Sequence, residues 1–80
     1  MYYVYILLLK NKTYYTGFSA DLRERYKNHQ GGNVSRTKNL RPLQLVYYSA
    51  FNSKLKALHF ESYLKTPSGF AFRNKRLISK

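Results

Sequence analysis

One stretch near the start of the chain limits the fold more than any other. Residues 2–9 read YYVYILLL and are apolar at both odd and even positions. A strand with one face in water would alternate, whereas this pattern is typical of a strand covered on both faces. We therefore predict a β-strand from Tyr2 to Leu9 that lies in the centre of its sheet.

The next segment predicts a hairpin. Residues 10–12 are polar and few enough for a tight turn, and residues 13–18 are rich in aromatic and β-branched side chains. We interpret residues 13–18 as a second, antiparallel strand. Gly17 lies near its end, where it indicates a bend or the close approach of another group to the backbone.

A first helix is predicted to follow this hairpin. Ser19 or Asp21 is suited to cap its N-terminus, and Asp21 with Glu24 has the spacing of a capping box. The helix is expected to end near His29, because glycines follow at positions 31 and 32. Arg25 shares a helix face with His29, since the two are four residues apart.

The second half of the chain adds a basic loop, a strand and two helices, predicted over residues 33–41, 43–51, 54–65 and 69–78 respectively. Asn52 or Ser53 is suited to cap the first of these helices. Thr66 and Pro67 would end it, and Ser68 would cap the last helix. The chain is thus predicted to be one domain, residues 1–80, of the α+β class, with a small three-stranded antiparallel sheet flanked by helices.

The charge balance indicates a polyanionic partner. Fifteen Lys and Arg residues face three Asp and Glu residues, giving a net charge of +12, and nucleic acid is the simplest partner for such a chain. The same charge also fits a solubilising surface or a ribosome-associated basic protein. The cations expected to contact nucleic acid are Arg36, Lys38, Arg41, Arg73, Lys75 and Arg76.

Several other classes of protein are disfavoured. The chain has no cysteine, so neither a disulfide framework nor a thiolate metal site is available, and two histidines alone make a zinc site unfavourable. The apolar run at residues 2–9 is far shorter than the ~20 residues of a membrane helix and lacks the flanks of a signal peptide. We expect a soluble, cytoplasmic protein without a membrane partner.

Glu61 is the acidic residue most suggestive of chemistry. At helical spacing it follows Ala57 and Leu58 and precedes Leu64, which predicts that its carboxylate lies on the apolar, inward face. An inward carboxylate needs a cation or strong donors. A divalent ion of the Mg²⁺ type, held by one or two carboxylates with water and phosphate oxygens, meets that need. A buried salt bridge, for instance with Arg25, meets it equally.

Other side chains could act on a phosphate beside Glu61. Tyr5 and Tyr15 lie on the two arms of the hairpin, where one of them could orient or deprotonate a water if cations assist a phenol whose usual pKa is ~10. Arg25 and His29 could grip a phosphate and hold a tyrosine hydroxyl. Core tyrosines and a solvated basic face are the alternatives. Asn74 is predicted to point inward, as a site member or as a packing or capping residue.

These residues together resemble the GIY-YIG nuclease domain. The matching segments are YVY at 3–5, YTG at 15–17, SADLRERYKNH at 19–29, RP at 41–42, LVY at 45–47 and ALHFE at 57–61. The last three resemble its small standalone bacterial members in particular. Tyr3 stands where the first motif has glycine, and Thr16 stands where the second has isoleucine.

The resemblance implies metal-dependent phosphodiester hydrolysis with Mg²⁺ or Mn²⁺ as cofactor and DNA as the partner. By position, the implied roles are a general base for Tyr5, a second motif tyrosine for Tyr15, phosphate stabilisation for Arg25, support of a tyrosine for His29, metal binding for Glu61 and a late asparagine for Asn74. The chain carries no attached DNA-recognition domain, so low sequence specificity is expected. A role in DNA repair or recombination follows from the same resemblance.

Two other functions fit the sequence. One is a non-catalytic nucleic-acid-binding module that retains the nuclease fold, and steep salt dependence of binding without turnover would indicate it. The other is a structural partner in a larger repair or ribonucleoprotein assembly, which would bind protein but not free nucleic acid. The sequence leaves open whether the substrate is DNA or RNA and whether it is single-stranded, duplex or branched.

Overall fold

A computed structural model describes residues 1–78, so the last two residues of the predicted domain lie outside the described part. The predicted α+β class and three-stranded antiparallel sheet are confirmed, with strand order β2-β1-β3. The strands are β1 (Tyr2–Leu8), β2 (Tyr14–Ser19) and β3 (Gln44–Phe51), and the helices are α1 (Leu22–Gln30), α2 (Lys54–Leu64) and α3 (Pro67–Phe72).

The central strand is covered on both faces, as its apolar pattern predicts. On one face, Val4 and Ile6 pack with Ala57 and Leu64 of α2, and all four side chains are fully buried. On the other face, Tyr5 belongs to a second cluster that includes side chains of α1. Each fully buried aliphatic side chain contributes about 1.5–3 kcal/mol, so β1 holds the two helical layers together.

The strand register places Tyr5 and Tyr15 on the same face of the sheet but not directly opposite each other, because they are offset by two residues along the strands. Tyr5 pairs with Gly17, whereas Leu7 pairs with Tyr15. A Cβ atom on Gly17 would overlap the ring and hydroxyl of Tyr5. The predicted close approach at Gly17 is therefore confirmed: the missing side chain lets the Tyr5 ring lie across β2.

The ends of α1 follow the sequence prediction. Of the two candidate caps, Asp21 is the one used, since its carboxylate accepts a hydrogen bond of 3.1 Å from the backbone N–H of Glu24. The Ser19 hydroxyl instead bonds the backbone of Asp21. The helix ends at Gln30, and Gly32 follows with a φ of 79°, a conformation that favours glycine.

The predicted Ser68 cap is wrong, and the helix predicted over residues 69–78 begins earlier, at Pro67, and changes from α to π geometry at Arg73. The hydroxyl of Thr66 accepts the capping bond from Gly69 N–H at 3.1 Å, and Pro67 begins α3, because the first helical position needs no N–H donor. A Cβ atom on Gly69 would overlap the backbone of Tyr63, so glycine lets α3 pack tightly on α2. A π-helical segment, Arg73–Leu77, follows α3.

The basic loop between α1 and β3 is tied down by its own side chains. Val34 and Thr37 are buried, and a short 3₁₀ turn spans Lys38–Leu40. The Arg41 guanidinium donates hydrogen bonds to the carbonyl oxygens of Lys38 at 3.0 Å and Gln30 at 3.2 Å. Arg41 thus has a local role in joining the loop to α1, beside its predicted contact with nucleic acid.

Candidate active site

A chain of hydrogen bonds links β1, α1 and the basic loop. The Tyr5 hydroxyl lies 3.0 Å from Nε2 of His29, and Nδ1 of the same ring lies 2.8 Å from the Thr37 hydroxyl oxygen. Thr37 in turn lies 3.5 Å from the carbonyl oxygen of Val34. Tyr5, His29 and Thr37 are all almost fully buried, so each polar atom in the chain needs its partner.

The two ends of this chain favour the same direction of proton donation. Arg25 Nε donates to the Tyr5 oxygen at 3.4 Å, and a guanidinium cannot accept a hydrogen bond. The Tyr5 hydrogen therefore needs another partner as its acceptor, and His29 Nε2 provides one. At the other end, Thr37 has a single hydrogen, which the Val34 carbonyl can accept. His29 then carries its own hydrogen on Nδ1 and donates it to Thr37.

Burial determines the protonation states of the chain. Burial, together with the smaller effect of the positive charge on Arg25, lowers the pKa of His29 from its ordinary 6.5 to about 4. Burial also raises the pKa of Tyr5, although the hydrogen bond from Arg25 opposes that effect; Tyr15 and Glu61 add smaller raising effects. At neutral pH the site therefore holds a neutral imidazole beside a protonated phenol.

Tyr15 of β2 and Arg25 of α1 lie beside the hydrogen bond between Tyr5 and His29. The His29 ring lies edge-on to both tyrosines, with centroids 5.7 Å from Tyr5 and 5.1 Å from Tyr15. The hydrogen bond to Tyr5 raises the pKa of Arg25, so this guanidinium is always charged. Tyr5 is only 1% exposed, whereas Tyr15 lines an open cavity, so the two motif tyrosines differ in their access to solvent.

Glu61 lies at the margin of the inward face of α2. Ala57 and Leu64 of this helix are fully buried, while the Glu61 side chain keeps 18% of its surface exposed. Its Oε2 atom pairs with Nζ of Lys65 at 3.1 Å, so the cation beside it is Lys65 rather than Arg25, the salt-bridge partner that the sequence suggested as an example. The charge of Glu61 still contributes, as the smallest effect, to raising the pKa of the Tyr5 hydroxyl.

A cavity of about 220 Å³ opens at the outer edge of β2. It has three cationic side chains, from the loop, the end of α2 and the π-helical segment. We call it the basic cavity, and its lining residues are Tyr14, Tyr15, Thr16, Arg36, Lys65, Phe70 and Arg73. Thr16, the departure from the usual second motif, is 8% exposed and forms part of this wall.

Asn74 does not point inward as predicted. It is exposed, because the segment after α3 is π-helical and turns this side chain outward. Its Oδ1 atom accepts two hydrogen bonds from the neighbouring Arg73 guanidinium, at 3.1 Å from Nε and 3.0 Å from Nη2. Among the other predicted nucleic-acid contacts, Arg36, Lys38, Lys75 and Arg76 are all exposed.

Thr37 is the site residue that the sequence prediction missed. A threonine in a polar loop is ordinarily a turn residue, and no pattern in the sequence connects it to a histidine eight residues earlier. Lys65 was missed too, although its position four residues after Glu61 was a usable signal for a helical ion pair.

The site has one candidate carboxylate ligand, Glu61, and a single carboxylate suits one weakly held divalent ion. Within residues 1–78, no group of three or more His, Cys, Asp and Glu side chains is placed to hold a metal. Mg²⁺ is commonly held by one or two carboxylates, with water and phosphate oxygens completing its shell. Glu61, partly exposed and within electrostatic range of Tyr5, fits that mode of binding. No helix in the described part of the chain is long and apolar enough to cross a membrane.

Comparisons with known proteins agree with this geometry. Residues 1–76 match the family model of the GIY-YIG catalytic domain. A UPF0213 protein of Staphylococcus saprophyticus is 39% identical over 77 residues, covering 95% of this chain and 89% of that protein. A UPF0213 protein of Limosilactobacillus reuteri is 37% identical over 67 residues, covering 80% of this chain and 70% of the relative.

A solved structure supports the same relationship. The solution NMR structure of a UPF0213 protein from Bacillus halodurans is 31% identical to this chain and covers 100% of it, with 99% of its own chain matched and a TM-score of 0.54. The order of the strands, the paired tyrosines and the matched span of 76 residues lead to one assignment. The chain belongs to the GIY-YIG family of nuclease domains, among relatives named UPF0213 proteins.

Proposed function

We propose that this protein is a divalent-metal-dependent endonuclease that hydrolyses phosphodiester bonds in DNA with low sequence specificity. The observation that carries the proposal is the buried Tyr5–His29–Thr37 chain, with Arg25 at its open end. A tyrosine that only filled the core would be satisfied by one backbone partner. Here an imidazole and a guanidinium converge on one phenol oxygen atom.

The hydrogen-bond chain gives Tyr5 a route to lose its proton. As a water attacks phosphorus, its proton passes to the Tyr5 oxygen while the Tyr5 proton passes to Nε2 of His29. The bond from the water oxygen to phosphorus forms, and the bond from phosphorus to the leaving oxygen breaks. A solvent proton completes the leaving alcohol. Within residues 1–78 the imidazole of His29 is hydrogen-bonded to Tyr5, which is why we assign the proton transfer to Tyr5 rather than to Tyr15.

Arg25 connects substrate binding to that proton transfer. Its bond to the Tyr5 oxygen is long, at 3.4 Å, and is therefore weak and easily exchanged for a bond to a phosphate oxygen. The shift would give water access to the buried hydroxyl. The phosphate charge would also offset the Arg25 charge that lowers the pKa of His29, so His29 becomes a better proton acceptor when substrate is bound.

Glu61 is the residue that we propose holds the metal, as Mg²⁺ or Mn²⁺. GIY-YIG nucleases generally use divalent ions, and such an ion, when bound, polarises a phosphate oxygen and offsets its negative charge. The charge of Glu61 contributes to raising the pKa of the Tyr5 hydroxyl, which supports a placement in which the ion and the proton transfer would act on the same phosphate. We further propose a cytoplasmic role in DNA repair or recombination.

Exposed and partly exposed cations would hold the rest of the nucleic acid. We propose that the basic loop and the C-terminal segment bind the phosphate backbone through Arg36, Lys38, Arg41, Arg73, Lys75 and Arg76. The chain has a net charge of +12, and backbone contacts of this kind carry little sequence information. Asn74 supports this surface by its bonds to Arg73.

A cleavage assay with single-atom variants tests the proposal. The purified protein is incubated with supercoiled plasmid and with single-stranded, duplex and branched DNA and RNA, in Mg²⁺, Mn²⁺ or EDTA. Tyr5→Phe keeps the ring and removes the oxygen, and we expect at least a 100-fold loss of rate. Tyr15→Phe should lose less. Equal activity of wild type and Tyr5→Phe would exclude the proposed proton transfer.

The burial of Tyr5 favours one second candidate. Because this hydroxyl is 1% exposed in the free protein, a site that never opens would leave only a basic nucleic-acid-binding module with a nuclease fold. Salt-dependent DNA binding with no cleavage of any substrate in either metal would establish that function instead.

A further inference from the structure

The basic cavity at the edge of β2 has the composition of an anion site. Arg36, Lys65 and Arg73 bring three positive charges to its wall, and none of its lining residues in the described part of the chain is acidic. We propose that this cavity binds a phosphate group of the nucleic acid, and that this phosphate draws Lys65 away from Glu61 and so frees the carboxylate for the divalent ion. The inference rests on the proposed nuclease function and adds a second phosphate site and a coupling to it.

Arg73 is held in place before any ligand arrives. Its guanidinium carbon lies 5.1 Å from the centroid of the Tyr14 ring and 4.6 Å from that of Phe70. Two hydrogen bonds to Asn74 Oδ1 fix its orientation further. A planar guanidinium held in this way loses less conformational freedom when it binds an anion, so Arg73 is a prepared phosphate ligand.

Lys65 is shared between the cavity and Glu61. It lines the cavity wall, and its Nζ atom also bonds Glu61 Oε2 at 3.1 Å. The Lys65 side chain is 54% exposed, and exposed ion pairs between residues four apart on a helix are weak. A phosphate between Arg36 and Arg73 offers Lys65 a competing anion within the same cavity, so the ammonium can exchange partners at little cost.

The exchange would link two binding events. While Lys65 pairs with Glu61, its positive charge repels a divalent ion from that carboxylate. When Lys65 moves to a phosphate, the carboxylate becomes a free ligand. Nucleic acid then strengthens metal binding, and by thermodynamic linkage the metal strengthens nucleic-acid binding by the same factor. The protein would hold its metal poorly until a substrate backbone lies in the cavity.

The phosphate site is tested without metal. Binding of a fluorescein-labelled duplex DNA is measured in EDTA by anisotropy at several NaCl concentrations. We expect Arg36→Gln, Lys65→Gln and Arg73→Gln each to reduce the slope of log K against log[NaCl] by about 0.9, the loss of one phosphate contact. Lys54→Gln removes the same charge at the opposite end of α2, which ends at Leu64, and should leave the slope unchanged. Equal slopes for all four variants would overturn the site.

The coupling is tested without nucleic acid. Free Mn²⁺ is measured by electron paramagnetic resonance as protein is added. Lys65→Gln should bind Mn²⁺ at least about twofold more tightly than wild type, because the competing ammonium is gone. Lys54→Gln should match wild type, and Glu61→Gln should bind no specific Mn²⁺. If Lys65→Gln binds Mn²⁺ no better than Lys54→Gln does, Lys65 does not control the carboxylate.

Neither experiment depends on turnover. A protein that fails to cleave but shows the predicted slopes and Mn²⁺ affinities refutes the nuclease function and leaves the cavity proposal standing. A protein that cleaves but shows uniform slopes or unchanged Mn²⁺ binding refutes the cavity proposal and leaves the nuclease function standing.

Discussion

Replacing Thr37 by valine tests whether a loop threonine controls the chemistry of a histidine. Valine has nearly the shape of threonine but no hydroxyl, so Nδ1 of His29 loses the partner that now lies 2.8 Å away. Thr37 is fully buried, and no water replaces its hydroxyl easily. An unpaired buried donor costs about 1–3 kcal/mol, so the tautomer with hydrogen on Nδ1 loses about that much free energy.

The loss should appear in the rate of cleavage. With hydrogen on Nε2 instead, His29 donates to the Tyr5 oxygen and can no longer accept the Tyr5 proton. A penalty of about 1–3 kcal/mol corresponds to a roughly 5- to 150-fold lower single-turnover rate on supercoiled plasmid. Thr37→Ser keeps the hydroxyl and should remain within a few fold of wild type.

Nitrogen NMR gives a second measurement that does not require activity. The ¹⁵N shifts of the His29 ring should show hydrogen on Nδ1 in wild type and in Thr37→Ser, and a shift towards Nε2 in Thr37→Val. The reasoning is refuted if Thr37→Val folds, keeps its hydrogen on Nδ1 and cleaves at the wild-type rate.

Three further predictions concern the close approach at Gly17, the charge state of His29 and the packing of the core. Gly17→Ala should displace the Tyr5 ring, lower the free energy of unfolding by about 1–3 kcal/mol and abolish cleavage, as measured by urea denaturation and nicking; normal cleavage would contradict the close approach. Because the folded state holds His29 at a pKa of about 4 against 6.5 when unfolded, it binds fewer protons between these values. Stability should therefore be complete above pH 6.5 and fall by up to about 3 kcal/mol as the pH drops to 4, and His29→Gln should flatten that dependence in denaturation curves. Leu64→Ala should cost about 2–5 kcal/mol, whereas the exposed Leu55→Ala should change stability by less than about 0.5 kcal/mol.

The sequence predicts the sheet well because the position of a strand in a sheet depends on which of its residues are apolar. Residues 2–9 are apolar at both parities, and this pattern alone places β1 in the centre, between two helical layers. Asp21 is predicted as a cap because N-terminal N–H groups need a nearby oxygen, and the bond to Glu24 N–H confirms it. Gly17 is predicted as a close approach because glycine in a strand otherwise weakens it.

The predictions fail where a side chain had two available partners. Both Thr66 and Ser68 can cap a helix, and the choice depends on where Pro67 begins it. Glu61 is predicted on the inward face but lies at its margin, because Lys65, four residues later, is a nearer cation than Arg25 on another helix. The bond from His29 to Thr37 depends on how the loop folds back, which no local pattern encodes.

The most direct test of the whole account removes one negative charge from Glu61. Glu61→Gln keeps the size of the side chain, and Glu24→Gln makes the same change on α1, where the side chain is exposed. Nicking of supercoiled plasmid is measured in Mn²⁺ under single-turnover conditions, together with DNA binding in EDTA. We predict that wild type and Glu24→Gln nick the plasmid and that Glu61→Gln binds DNA but nicks at least 100-fold more slowly. Nicking by Glu61→Gln at the wild-type rate would contradict the account.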